Sequence, residues 1–507
     1  MVPQSLDCLI YLAKLMSECV KKSFFSSILN LDSRAIGTLY LVLAIVAGVV
    51  GAVFSFVLRL ALNGSDLAFL SLIVPSDPAL LSFMNTAHAL ILVFFMVMPA
   101  LIGGFANWFV PLMIGTHNVA FPRANLIAFL LLLLTVLSGF AALLSFGDES
   151  RFKILMLASI FIGSMSFIIS FINFITTIIT MRAPGLTLAR LPVFVWSVLV
   201  ASFLGLMSVP AMLAALTGLV LSGPVSVDNP SMMVWFFSHP EIYVLLLPAF
   251  GIVSEILVTF TKRRLWMENG VVAAMVFIGT IGFILWMNDL FEFRTPDVMA
   301  RYFRVALPLI ILPTAFILLS WFVTLVKSRF KFETPMLWAM GFFFVVLMGQ
   351  LSALQLAATG NSVNGANQSA FVAHFHYILS LSAVFAIFAG WYYWLPKMTG
   401  YMCRSLTTRI HFWSLFVGVN AIFLPQHLDQ LTNGLIFGST VSGIFSSVGA
   451  VLAAFSVIVF VYGVCETFVR KTKAQSNPWG EGALTLEWQL ASPPDRNVWE
   501  KVPVITK

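Results

Sequence analysis

A chain of 507 residues with 60% hydrophobic and 10% charged side chains, and a mean hydropathy of +0.98, is not built to be wetted on all sides. Soluble globular chains carry roughly 25% charged residues, and 49 Phe with 22 Met would here need an apolar shell around an apolar core. Soluble folds are excluded, and the remaining class is an integral membrane protein.

In chain order, residues 1–31 lack the basic, then apolar, then small-residue pattern of a cleaved signal. Leu9, Ile10, Leu12, Leu15 and Met16 suit an interfacial helix and an extended tail equally well. Apolar runs long enough to span a bilayer follow near 36–60, 86–114, 125–146, 153–181, 192–222, 232–258, 270–291, 302–326, 335–357, 371–395, 410–434 and 440–466, twelve in all. Pro99, Pro248 and Pro313 fall inside runs, where neighbouring helices can satisfy the freed carbonyls. The predicted organisation is an N-terminal extension (1–31), a twelve-helix membrane domain (32–466) and a polar C-terminal tail (467–507) too short to be a domain. No repeat of 20–50 residues is present. The fold class is all-α.

Loop charge orients the chain. Alternate loops hold twelve basic residues, among them Arg182, Lys262, Lys327 and Arg404, against five in the opposite set. Positive-inside then places both termini and the tail on the cytoplasmic or matrix side. The net charge of +7 comes from this bias and implies no nucleic-acid partner. Cys8, Cys19, Cys403 and Cys465 lie on or near that reducing side, so no disulfide is expected.

Ionisable side chains inside hydrocarbon are costly and mark function. His88, His239, His374 and His376 lie within spans. A spacing of two turns a helix by about 200°, so His374 and His376 leave on opposite faces. They cannot share one metal, but each can serve a separate cofactor, and imidazole is a common axial haem ligand. A single buried His is more often a hydrogen-bonded core residue; four in such positions favour ligation. In HPEIY (239–243), His239 and Tyr243 share a face and Glu241 points away. That set suits coupled electron and proton transfer, although by itself it is better explained with Tyr243 as packing and Glu241 as a protonated helix residue hydrogen-bonded locally.

The motifs IGTLYL (36–41), TAHALILVFFMVMPALIGGFANWFVPLMIG (86–115), FINFITTIITMRAPG (171–185), HPEIY (239–243), AHFHYILS (373–380), PQH (425–427) and NPWGEGALTLEW (477–488) resemble the cytochrome c oxidase subunit 1 family of the haem–copper oxidases. The resemblance runs from about residue 32 to the C-terminus. It implies a twelve-helix bundle holding two haems, of the a type. His88 and His376 match the axial ligands of the low-spin haem, and His374 matches the ligand of the high-spin haem. His239 matches a copper ligand, Tyr243 the tyrosine joined to it, and Glu241 the glutamate that gates protons. Arg59 and Trp235 occupy positions near the haems. The implied activity passes electrons from cytochrome c to oxygen with proton translocation. The implied partners are oxidase subunits 2 and 3, cytochrome c and the bilayer of a bacterial cytoplasmic or mitochondrial inner membrane.

The pattern is broken at defined places. WMNDLF (286–291) puts Asn288 and Asp289 where two copper-ligand histidines belong, and copper prefers imidazole to such oxygen ligands. The lysine of one proton route falls at Ile317, although Thr314 is kept. The aspartate of the other route falls at Asn118. A His–Asp pair is Ala366–Asn367, and paired arginines before the last helix have no counterpart in LDQLTNGLIFG (428–438). The copper centre is therefore expected to be incomplete and ordinary oxidase turnover impaired. The alternative expectation is a specialised haem-binding relative acting in electron transfer, assembly or gas response. A scaffold without haem leaves His88, His374 and His376 unexplained.

Overall fold

The computed structural model describes residues 31–62, 78–145, 149–221, 230–291, 307–359, 368–431, 438–495 and, beyond these, Val498, Trp499, Pro503 and Ile505. Of the predicted N-terminal extension only Leu31 falls among them. With no water in a bilayer to satisfy peptide groups, an apolar chain must bond its backbone internally, and the described residues do so as helices.

The rods in order are α1 (Ser33–Leu62); α2 (Pro78–Leu90), continued through π-helical turns at Ile91–Val97 and Pro99–Ala106 into α3 (Asn107–Ile114); α4 (Pro122–Leu144); α5 (Glu149–Thr180); and α6 (Val193–Leu221). Then come α7 (Pro230–Thr261), α8 (Glu268–Phe291), α9 (Leu307–Val326) and α10 (Thr334–Thr359). The last are α11 (Gln368–Phe375), continued through a π turn at His376–Leu381 into α12 (Ser382–Thr399), then α13 (Ser405–Leu431) and α14 (Gly438–Arg470). Eleven of these rods are long and apolar enough to cross a membrane. The twelfth, α13, carries Arg409, His411, Gln426, His427 and Asp429, and it turns its two histidines inward, 1% and 3% exposed. The predicted run at 410–434 is thus a helix of the bundle whose polarity faces its neighbours.

The π turns have local causes and positional consequences. Pro99 has no N–H to give to the helical ladder, and a widened turn absorbs the defect. π turns gather at functional positions; here one begins at His376 and another begins three residues after His88.

The core centres on Trp394 of α12, fully buried, with Phe109 stacked on it at 4.3 Å and Phe194 at 5.1 Å. Helices α13 and α14 approach through glycines. A Cβ on Gly418 would lie 2.9 Å from both the Gly449 carbonyl and the Ala453 N, the close approach that small residues permit between membrane helices.

The tail is more than a polar overhang. It crosses one end of the bundle as a strap: Met402 N–H donates to Thr472 O, Ala474 N–H to Gly400 O, and Ile505 N–H to Pro184 O. Buried Lys397 donates to the carbonyls of Ser476, Leu490 and Ala491 at 2.7, 2.6 and 3.2 Å. Arg34 holds the Asp495 carbonyl at 2.9 Å. Trp479 and Trp488 give the strap an apolar underside, their indoles donating to Tyr393 O and Tyr393 Oη.

Gly418→Leu should overpack the α13–α14 seam and destabilise by about 1–3 kcal/mol. Gly443→Ala, at a position with nothing within 4 Å of the new Cβ, should leave the melting temperature unchanged. Thermal unfolding of both variants in detergent checks the contrast.

Candidate functional site

Small residues at Ala44, Gly48 and Ala52 leave a trough along one face of α1. Opposite it lie α2 with its first π turn, the π turn after α11, and α12, α13 and α14. The trough opens into a cavity of about 200 Å³. The walls are mostly apolar, from Val49, Leu92, Val419, Phe423 and Phe460.

Both His88 and His376 line this cavity. His88 Nδ1 lies 3.0 Å from Gly51 O, and His376 Nδ1 lies 2.7 Å from Val372 O. A carbonyl can only accept, so each Nδ1 carries the hydrogen and each Nε2 keeps a lone pair. Such anchoring of the far nitrogen is how proteins orient metal-binding imidazoles. The His376 ring stacks on Phe423 at 4.3 Å, and the Arg59 guanidinium stands 5.3 Å from the same phenyl centroid. Arg59 also lines the cavity. Two imidazoles, each with a free Nε2, on the walls of one apolar cavity suit an iron porphyrin that takes two nitrogen ligands.

His374 has different neighbours. It is buried, and its Nδ1 lies 2.8 Å from Ser352 Oγ of α10. That hydroxyl gives its single hydrogen to Gly349 O at 2.8 Å, so toward His374 it accepts. All three imidazoles therefore share one tautomer, with Nε2 available. The His376 ring lies against α13 and the cavity, whereas the His374 ring is tied to α10, which agrees with departure on different faces of one rod.

The remaining predicted positions divide. Tyr243 is buried, its ring so close to Gly282 of α8 that a Cβ there would lie 2.5 Å away. The side chains of Trp235, His239 and Glu241 on α7, and of Asn288 and Asp289 on α8, lie outside the described residues, as do Ala366 and Asn367. Thr314 and Ile317 are fully buried on α9. Asn118 is engaged structurally: Oδ1 accepts from Ser33 N at 3.2 Å and Val119 N at 2.8 Å, while Nδ2 donates to Leu31 O at 2.9 Å. No group of three or more His, Cys, Asp or Glu able to hold a metal ion occurs among the described residues.

Reasoning from sequence missed the cavity's supporting parts. Gly51 supplies the His88 carbonyl and has no room for a Cβ, which would lie 2.5 Å from Leu92. The period of Ala44, Gly48, Gly51, Ala52 and Ser55 is a signal for this face. His411, buried and bonded through Nδ1 to Tyr392 Oη at 2.9 Å, lines the same void and had no comparable signal.

A multi-pass helical bundle with internal imidazoles beside an apolar cavity defines a class of membrane protein built to enclose a cofactor. Residues 35–465 match the family described as Cytochrome C and Quinol oxidase polypeptide I. The chain is also 32% identical over 543 residues to cytochrome c oxidase subunit 1 of Cereibacter sphaeroides, covering 95% of this chain and 96% of that relative. The chain belongs to this oxidase polypeptide I family, the haem–copper oxidase subunit 1 family, and is an integral multi-pass membrane protein.

Ser352→Ala should free the His374 ring and lower its affinity for a bound metal centre by about 10–100-fold. Haem content per chain after dilution and repurification, compared with the parent protein, checks this.

Proposed function

We infer from family membership a cytochrome c oxidase subunit 1-like role in respiration. Beyond that, we propose that it carries two haems, of the a type, and transfers electrons through them. His88 and His376 hold the low-spin haem, and His374 holds the second on the other face of the same rod. Bound haem supplies a one-electron couple that no side chain offers. The chain's own residues do the rest. The Gly51 and Val372 carbonyls fix the two rings, the apolar walls exclude water, and Arg59 places a cation at the cavity. The observation that carries this reading is the single void bordered by two imidazoles of the same tautomer.

The further roles follow the family. Subunits 2 and 3 and cytochrome c are the proposed partners, and the strap end of the bundle is proposed to face the cytoplasm or matrix. Tyr243, with Glu241, is proposed to deliver protons and electrons, and Trp235 to lie near the haems.

A second reading is favoured by the replaced residues, namely a haem-binding relative that does not reduce oxygen in the usual way. His239 is left with Asn288 and Asp289 at the partner positions, an oxygen-rich set poorly matched to copper. Buried Ile317 interrupts the polar row of α9, and Asn118 is committed to holding the start of α1. Such a protein retains electron transfer, with assembly or gas response as its specialised uses.

Purified full-length protein should show reduced-minus-oxidised haem bands. His88→Ala or His376→Ala should abolish the low-spin component, whereas His374→Ala should abolish the CO-reactive one. Copper should quantify well below one ion per chain at the His239 position. Protein without haem bands would refute both readings, and stoichiometric copper with oxygen consumption would restore ordinary oxidase turnover.

A further inference from the structure

The strap buries a carboxyl that the proposed electron path does not use. Glu487, in the short 3₁₀ turn Leu486–Gln489, is 0% exposed. Its Oε1 accepts the Thr485 hydroxyl at 2.7 Å, and its Oε2 has no hydrogen-bond partner. The neighbouring Lys397 attracts the carboxylate through its charge, but its hydrogens are bonded elsewhere. An ammonium has three hydrogens, and Lys397 gives its hydrogens to the Ser476, Leu490 and Ala491 carbonyls, its Nζ standing 5.2 Å above the Trp488 ring. The Trp394 indole lies near the carboxyl, outside hydrogen-bond geometry.

Helix α3 packs on the turn without a titratable side chain, and α12 and α7 contribute the polar and titratable groups. From α12 come Lys397, Trp394 and Tyr393, whose hydroxyl accepts from the Trp488 indole at 2.8 Å and meets Thr259 Oγ1 at 2.7 Å. From α7 come Thr259 and, one turn deeper, buried Glu255, which accepts the Phe194 N–H at 3.1 Å at the start of α6. A helix N-terminus favours negative charge at that place, so Glu255 adds an acidic neighbour and no cation. The exposed pair Lys262–Glu481 closes the outer rim at 3.4 Å.

We propose that Glu487 is a proton-binding site in the strap, and that its protonation holds the strap closed over this end of the bundle. A carboxylate in this slot has one accepted hydroxyl and one bare oxygen away from water, a costly state. A carboxylic acid there is neutral and suits the dry slot. Ionisation therefore favours releasing the 486–490 turn, and with it the Trp488–Tyr393–Thr259 chain, into water. The same residues then link proton concentration on the strap side to access at the ends of α7 and α12.

Burial pushes the Glu487 carboxyl up from 4.5 to about 7, with the Thr485 hydroxyl pulling the other way. A closed strap thus binds the proton more tightly than a released one. Closure is strongest below about 4.5, weakens as pH rises toward about 7, and is flat above.

Amide hydrogen exchange on full-length protein in detergent tests the site, read at Ala474 and Trp488 and expressed as the ratio of parent to Glu487→Gln at each pH. The ratio cancels intrinsic exchange chemistry, and each unit of pKa difference is worth tenfold. The parent should exchange at least about tenfold faster than Glu487→Gln near about pH 8, and equally near about pH 4. A ratio that does not change with pH would overturn the proposal. Infrared absorption gives an independent reading if the glutamine variant fails to fold. The parent should show a protonated-carboxyl C=O band that titrates near neutral pH and shifts, without disappearing, in Glu487→Asp. A parent with no such titrating band would equally overturn it.

Discussion

Two ring hydrogens donated to two backbone carbonyls set up everything else at the centre of this protein. His88 is tied to Gly51 of α1, and His376 to Val372 one turn back in its own rod. Each bond fixes a tautomer, orients a ring and leaves a lone pair at the cavity wall. The Gly51 carbonyl is reachable because no side chain stands on that residue, where a Cβ would collide with Leu92. Without the glycine, the ring and the helix could not approach together. The placement of the His88 ring at the cavity is thus a consequence of backbone spacing between α1 and α2 as much as of the histidine itself.

The helical scaffold supports this arrangement at several levels. Hydrocarbon imposes internal backbone bonding, hence rods. Two of the three departures from the regular rod fall beside the histidines, where π turns begin at Ile91 and His376, and the third begins at Pro99. The α13–α14 glycine contact brings Phe423 and Phe460 to the cavity from adjoining helices. At one end, the strap meets the termini of α1, α7 and α12 through Arg34, Lys262 and Lys397. Its buried carboxyl makes that closure responsive to protons.

Much of the fold was legible in the sequence because hydropathy acts over whole segments. Each of the twelve apolar runs corresponds to a rod among the described residues, and even α13, with its two inward histidines, follows its run closely. The opposite departure of His374 and His376 was legible from helical periodicity alone. The anchors were not. Nothing local in the sequence says that Ser352 meets His374, because the two are 22 residues apart on different rods. Tail residues read as polar because composition averages over Trp479, Trp488 and their charged neighbours, whereas burial depends on which side each faces. The reading of Asn288, Asp289 and Ile317 rests on residue chemistry alone, since Asn, Asp and Ile offer different donors wherever they point.

The account stands most directly on paired imidazole ligation inside the cavity. Electron paramagnetic resonance of the oxidised, purified chain, together with haem quantitation, measures it. The account predicts two haems per chain and a low-spin ferric signal of bis-imidazole type that vanishes when either His88 or His376 is replaced. A chain that retains the low-spin signal after both replacements, or binds no haem at all, would contradict it.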